Sequence, residues 1–547
     1  MSKIDFYRNK RSYWVVWNFV FSFSISALIV NIFDFNIEFL WIFAISFSCF
    51  FVMFGFIKYI PNGAINYGWW LPIFPLLLFA IWYVYIRIFG TFSIAPVVFH
   101  LQYDMESNGV VLDVARVAFI ELQPFILIYI CWRMAARGDM QLQRLGKIVF
   151  LPLLVLNPFT VNVGQYLFEV YGPHSKDLDA VYVNPSNLPK PLGKQPNFVH
   201  IYLESTERTL LDGAFGTLAS PLLPLFQKGF SANGIEQAQL TDWTLAGQVA
   251  SLCGVPLLSL GSINRNDFDQ TNAVLPNATC VSDLLVRDGY DLSFIKGAML
   301  RFAGTENFVR AHNYQNSLGY EVLGHQYPVS ENSLGLRKNP WGLDDEDMFH
   351  AAYGEVKRLA NGNRPFAVTL TTIGGHTPKG YVSRQCETDP EVTQFPTQTE
   401  QAFYCTNKLT AAFLDRLEIE GLLENTVVIL QSDHLAMRNE LDRKLKKLQR
   451  RNSFFIFSTR ENEGISANSQ SDKRATMVDV FPTILESLGY ILPDRRAGLG
   501  VSLFSEAPTL VGEWGLETFD RAILADWKLR ERVWGLKRSE TPGSNVM

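Results

Sequence analysis

Charge is scarce over residues 1–165, where the chain is almost continuously apolar and aromatic, and that scarcity excludes a water-solvated fold for the region. Charged residues gather in the remainder, so two solvents are implied. Cysteine is scarce as well: there are six in 547 residues, with no Cys-x-x-Cys and no Cys/His spacing of a structural zinc site. Basic excess is missing, since 48 Lys and Arg face 53 Asp and Glu for a formal net charge of -5, and no nucleic-acid partner is expected. A cleaved signal peptide is not expected either, because the first apolar stretch lacks a small-residue cleavage site and leads straight into a second one.

What is present over residues 1–165 is a set of five segments long and apolar enough to cross a hydrocarbon core about 30 Å thick: 13–33, 39–57, 69–89, 117–134 and 148–163. The last is short and contains Pro152 and Pro158, which suits a kinked segment as well as a span. Arg8, Lys10 and Arg11 precede the first, Lys58 follows the second, and Arg137, Arg144 and Lys147 lie between the fourth and fifth, which marks those sides as cytoplasmic. The connections 34–38 and 90–114 contain no Lys or Arg, so everything after Gln165 is delivered outside; Arg87 and Arg116 weaken this asymmetry without reversing it. The spans hold few ionisable residues, Glu121 chief among them, which argues against a channel or transporter. The connection 90–114 reads either as an interfacial amphipathic helix or as an ordered loop.

Cys253, Cys280, Cys386 and Cys405 lie in the polar region, an even number that an oxidising compartment would let pair. Of the three pairings allowed, Cys253 with Cys280 and Cys386 with Cys405 are favoured because they close short loops. The reading is of an N-terminal polytopic α-helical membrane domain (1–165), a polar, proline-rich linker expected to run as an extended tether (166–195), an α/β catalytic domain (196–505) and a helical tail (506–547) whose end, 539–547, reads as disordered. Within the third region, runs rich in β-branched and aromatic residues at 198–203, 292–295, 366–371, 427–430 and 454–457 alternate with helical patterns such as 475–488, which predicts a mainly parallel sheet.

Ligands bind beyond the carboxyl ends of parallel strands. Glu204 follows the first run, Gly374-Gly375-His376 the third, and Ser432-Asp433-His434 the fourth. Two carboxylates and an imidazole form a donor set for Mn²⁺, Zn²⁺ or Mg²⁺ and leave a position for a nucleophile or a phosphoryl oxygen. The nucleophile should be a hydroxyl placed where backbone N–H groups help hold phosphate. Thr244 stands where a helical pattern begins, which is also where a threonine serves simply as a cap, and Thr241 competes with it. The basic run 443–451 suits an anionic surface or a solvated helix face.

The segments Tyr202-Leu203-Glu204-Ser205-Thr206-Glu207-Arg208-Thr209, Thr241-Asp242-Trp243-Thr244-Leu245-Ala246-Gly247, Leu300-Arg301-Phe302-Ala303-Gly304-Thr305, Trp341-Gly342-Leu343-Asp344-Asp345 and Ser432-Asp433-His434-Leu435-Ala436-Met437 occur in an order and at separations that resemble the phosphoglycerol transferases of osmoregulated periplasmic glucan synthesis. Those enzymes belong to the membrane-anchored alkaline phosphatase and sulfatase superfamily, alongside lipoteichoic acid synthases and lipid A phosphoethanolamine transferases. The likeness spans roughly 196–503. It implies a sulfatase-like α/β fold and one divalent ion, Mn or Zn with Mg as a third choice, held by Glu204, Thr244, Asp433 and His434. It also implies Thr244, rather than Thr241, as covalent nucleophile. His376 resembles a histidine that contacts the transferred phosphate or protonates a leaving oxygen, and Arg301, Phe302 and Trp341 resemble a head-group-binding region, although the local sequence departs from the pattern there.

The implied activity is transfer of sn-glycerol 1-phosphate from phosphatidylglycerol to periplasmic glucans, at the bacterial inner membrane with the catalytic domain in the periplasm. A phosphoethanolamine transferase is the alternative within the same chemistry; a non-catalytic membrane sensor or glucan-binding protein is the alternative of another class. The sulfatase signature Cys-x-Pro-x-Arg is absent, so sulfate-ester hydrolysis through a formylglycine is not expected.

Overall fold

The computed structural model describes residues 72–89, 122, 125, 128–129, 132, 140–172, 176–259, 271–326, 337–460 and 465–536. The chain divides into two compact units, one of residues 1–92 and 105–168 and the other of residues 93–104 and 169–547.

In the first unit three helices are described: α1 (Ile73–Phe89), α2 (Met140–Val155) and α3 (Pro158–Tyr171). The sequence breaks the last two apart, because Pro158 lacks an N–H and has a φ suited to starting a helix, not to continuing one. Asn157 makes the junction. Its Oδ1 accepts from the Phe159 amide at 3.0 Å and its Nδ2 donates to the Pro75 carbonyl at 2.7 Å, so the polar group is buried with its bonds made. Ala80, Tyr83 and Phe125 form the small apolar core, whereas Ile148, Leu151, Leu156 and Phe168 are exposed. Among the described residues one stretch, Arg144–Gln165, is long and apolar enough to cross a membrane. The third expected span coincides with α1 and the fifth with the broken α2–α3 pair. The first two, the connection 90–114 and the tail end 539–547 lie outside the described residues, and of the fourth only isolated helical positions are described.

The second unit is built on a nine-stranded sheet. Its strands are β1 (Asn197–Leu203), β2 (Phe230–Glu236), β3 (Asp291–Lys296), β4 (Asn316–Leu318), β7 (Phe366–Thr371), β8 (Thr426–Ser432), β9 (Asn452–Ser458), β10 (Ser469–Ser471) and β11 (Ala475–Thr476); β5 (Lys338–Asn339) and β6 (Gly342–Leu343) form a separate two-stranded ribbon. The spatial order is β10-β2-β9-β8-β1-β7-β3-β4, with β11 also on β2; β9 runs against its neighbours and the other pairings are parallel. The five expected strands are all present, and the central ones are buried almost throughout because both faces are covered, with polar His200 and Gln431 bonded to each other inside. The stretch 475–488 differs from the helix expected. Ala475 and Thr476 pair with Ile235 and Glu236, and Thr476 then caps a short 3-10 turn, Met477–Asp479, that leads into the helix Val480–Ser487.

Both favoured disulfides are present, Cys253–Cys280 and Cys386–Cys405. Part of the stretch read as an extended tether is tied down instead: Asp526 accepts from the Leu178 and Asp179 amides, Lys528 pairs with Asp177, and Val183 forms a bridge with Gly498. The described part of the C-terminal stretch contains helices at Leu510–Trp514, Leu516–Ala525 and Trp527–Trp534. Its helix Leu516–Ala525 buries Phe519 and Ile523, Trp534 donates to the Leu258 carbonyl, and Asp520 accepts from the Gln239 amide at 2.8 Å.

Candidate active site

Strand register brings the site together. Leu203 of β1 pairs with Ser432 of β8, so Glu204 and Asp433 leave the sheet side by side; on the other flank Tyr202 pairs with Thr371, which in turn pairs with Lys296, the last residue of β3. The helix α4 (Thr244–Cys253) starts over this edge with Thr244 as its first residue. Its close approach depends on Gly247, where a Cβ would lie 1.7 Å from the Asp433 carbonyl oxygen.

Glu204, Asp433 and His434 each offer a ligand atom within 4.8 Å of the others, and all three are buried. His434 Nε2 lies 3.4 Å from both Glu204 Oε1 and Asp433 Oδ2. Its Nδ1, 2.8 Å from the Leu435 carbonyl, must be the donor there, which leaves Nε2 as the electron-pair nitrogen in the neutral ring. Asp433 Oδ1 accepts from the amides of Ser205 and His434, both at 2.9 Å, while Oδ2 is buried with no hydrogen-bond partner. Ser205 reaches Asp433 by adopting φ 56°, and its hydroxyl donates to Glu204 Oε1 at 2.8 Å.

Two buried carboxylates with one imidazole between them are electrostatically short of positive charge. Burial, then the Glu204 charge, pushes Asp433 up to about 7. Burial works against a charged His434, but Asp433 and Glu204 overcome it and draw the ring up to about 10. Glu204 resists burial and is held well below the usual carboxylate range by His376 and His434. The orphaned Asp433 Oδ2, the turned-out His434 Nε2 and this charge deficit fit a divalent cation, which would keep both carboxylates ionised and the imidazole neutral.

The half-buried Thr244 places its hydroxyl 3.3 Å from Glu204 Oε2, beside the amides of the first turn of α4, which have no intrahelical acceptor. Thr241 is elsewhere: it is fully buried, and its hydroxyl donates to the Ala238 carbonyl at 2.7 Å.

His376 stands beyond β7 with Nδ1 3.0 Å from the Thr377 carbonyl. Its ring lies against Trp341, centroids 3.8 Å apart, and Trp341 meets Phe302 edge-on at 6.0 Å. Enclosure lowers the His376 pKa, against the opposing pull of Glu204. Arg301 is exposed, its guanidinium 3.7 Å from Met299 Sδ. The structure thus gathers Glu204, Thr244, Asp433 and His434, sets Trp341 and Phe302 beside His376, and leaves Arg301 at the rim.

Lys296 is the group the sequence reading passed over. It is buried, donates to Thr305 Oγ1 at 3.3 Å and lies 5.9 Å from the Phe302 ring. Burial lowers its ammonium to about 8, with the Glu204 and Asp433 charges opposing. The strand-end rule that picked out Glu204 and Asp433 applies equally to the end of β3. The basic run is partly structural: Arg450 forks onto buried Glu207, Lys446 pairs with Asp442, and Lys444 sits 4.0 Å above Phe215.

Residues 196–490 match a family model described as Sulfatase. A phosphoglycerol transferase I from Citrobacter koseri is 33% identical over 332 residues, which are 60% of this chain and 41% of that protein; a relative of the same name from Escherichia coli is 32% identical with the same coverage. The chain therefore matches about two fifths of the length of these curated relatives. Among solved structures, a protein in the alkaline phosphatase superfamily from Vibrio parahaemolyticus aligns at 21% identity over 62% of this chain and 81% of that one, with a TM-score of 0.47.

Proposed function

The chain belongs to the sulfatase family, and from that premise we propose that it is a membrane-anchored transferase moving sn-glycerol 1-phosphate from phosphatidylglycerol to a hydroxyl of a periplasmic glucan, with release of diacylglycerol. One observation carries the reading: the hydroxyl of a half-buried threonine at a helix N-terminus, 3.3 Å from Glu204, whose carboxylate clusters with buried Asp433 and His434. Similarity to proteins named phosphoglycerol transferase I supports the head group. The five-span topology, with the catalytic unit outside the cytoplasmic membrane, is part of the proposal and supplies its logic, since a tethered enzyme meets a lipid donor at high effective concentration.

Glu204, Thr244, Asp433 and His434 would hold one divalent ion, and their hard-to-borderline donors suit Mn²⁺ or Zn²⁺, with Mg²⁺ a third choice. Once bound, such an ion supplies Lewis-acid stabilisation of the phosphoryl oxygens and favours the alkoxide of Thr244. The chain's own groups do the rest. Thr244 Oγ attacks phosphorus, shedding its proton to solvent past Glu204 Oε2, and the bond from phosphorus to the diacylglycerol oxygen breaks. Protonated His376 Nε2 gives its proton to that departing oxygen. The glucan hydroxyl then attacks the phosphoglyceryl-threonine, His376 Nε2 takes the hydroxyl proton, the bond from phosphorus to Thr244 Oγ breaks, and Thr244 Oγ regains from solvent the proton shed in the first step. Lys296 and the first-turn amides of α4 stabilise the phosphoryl charge in both steps, while Phe302, Trp341 and Arg301 border the head group.

The test is the full chain in vesicles with labelled phosphatidylglycerol or phosphatidylethanolamine, a glucan acceptor and Mn²⁺. Diacylglycerol should come from phosphatidylglycerol alone and disappear with Thr244→Ala. Release from phosphatidylethanolamine alone would overturn the head group, and turnover surviving in Thr244→Ala would overturn the nucleophile.

A further inference from the structure

Asp345 is buried at the first position of a helix, α5 (Asp345–Ala360), yet its carboxylate serves a different part of the chain. Oδ1 accepts from the Ile373 amide at 2.8 Å, and Oδ2 accepts from the Gly374 amide at 3.0 Å and from Thr406 Oγ1 at 2.7 Å. These bonds seize the backbone between β7 and His376. The loop has no slack on either side. A Cβ on Gly374 would lie 2.5 Å from Asp345 Oδ2 and 2.4 Å from Thr406 Oγ1, and one on Gly375 would lie 2.3 Å from the Glu204 carbonyl oxygen. Bonds from the His376 amide to the Ile373 carbonyl, and from the Gly380 amide to the His376 carbonyl, close the turn.

The same short segment, 341–345, therefore grips His376 twice, with Trp341 against the ring and Asp345 beneath the backbone. Keeping a carboxylate in this buried place, near Glu204, is unfavourable: burial above all raises its pKa, and only the three donors pull the other way. A capping role does not account for it, because Asp345 makes no side-chain bond to its own helix among the described contacts.

We propose that Asp345 is the positioning residue for His376, holding the Ile373–Gly374 backbone so that the imidazole faces the phosphoryl site. This rests on the acid–base role given to His376 above. Positioning groups of this kind contribute about 10–100-fold. Asp345→Asn in the full chain is expected to lower kcat by that factor with KM and Mn²⁺ affinity little changed, and to have almost no effect when His376→Ala is already present, because the group it positions is gone. An equal loss in both backgrounds would mean general damage to the fold and overturn the proposal.

A second measurement does not need turnover. Hydrogen exchange should quicken in Asp345→Asn within residues 373–381 while 197–204 stay protected; unchanged exchange in 373–381 would overturn the positioning role. If the unaltered chain released no diacylglycerol from any lipid, the proposed function would fail, and the exchange result would still decide what Asp345 does.

Discussion

At the residue scale, the consequence to measure first is charge. The Lys296 ammonium, brought down to about 8 by burial, is present below that pH and lost above it. An anionic phosphoryl group needs the charged form, so kcat/KM is expected to fall as pH rises through about 8; the limb should move upward in Lys296→Arg, whose guanidinium stays protonated. At the acid end the sign reverses. Protons compete with a cation for Asp433 and His434, so Mn²⁺ affinity measured by calorimetry is expected to weaken as pH falls, and Asp433→Asn should weaken it at every pH. Thr244→Ala is expected to cost at least about 10³-fold in kcat while leaving metal binding detectable, because three of the four donors remain. Two threonines near a helix start look alike in sequence; what separates them is that the fold commits the Thr241 hydroxyl to the Ala238 carbonyl and turns Thr244 toward Glu204.

At the scale of elements, the site depends on how closely α4 can approach the end of β8. Gly247→Ala would drive a methyl group into the Asp433 carbonyl and is expected to cost about 1–3 kcal/mol in unfolding free energy, with a disproportionate loss of Mn²⁺ binding as helix and strand end are forced apart. Thermal unfolding read beside a metal titration checks both. The Cys386–Cys405 bridge closes a 19-residue separation, and replacing both cysteines by serine should cost about 3 kcal/mol, seen as a lower denaturant midpoint. Strands were legible because apolar runs buried on both faces carry their own signature, and the polar residues just past them could be read as a ligand edge. Lys296 directly follows the run read at 292–295, but a lone lysine there is no metal-ligand type; its place beside the site comes from the pairing of β3 with β7 and from its burial. The helix expected over 475–488 began late because pairing with β2, a tertiary contact, took its first two residues.

At the scale of the whole molecule, the division into an apolar region and a polar one follows from composition, and the proposed topology makes a direct prediction. A membrane-impermeant thiol reagent should label cysteines introduced at exposed Ile419 or Ile491 in intact spheroplasts, but not one introduced at residue 58; labelling of residue 58 alone would reverse the orientation. By itself the sequence determined the apolar character of its first 165 residues, the mainly parallel sheet, the local disulfides and the residue types at each strand end, because hydropathy, β-propensity and short loop closure act over neighbouring residues. Only the tertiary structure decided which of those ends share an edge, which threonine faces it, that Lys296 and Asp345 belong to its surroundings and that residues 177–183 are clasped to the C-terminal helices. The reason is physical: these depend on strand order, register and close backbone approach between segments distant in the chain, and no local pattern encodes a distance between residues that meet only after folding.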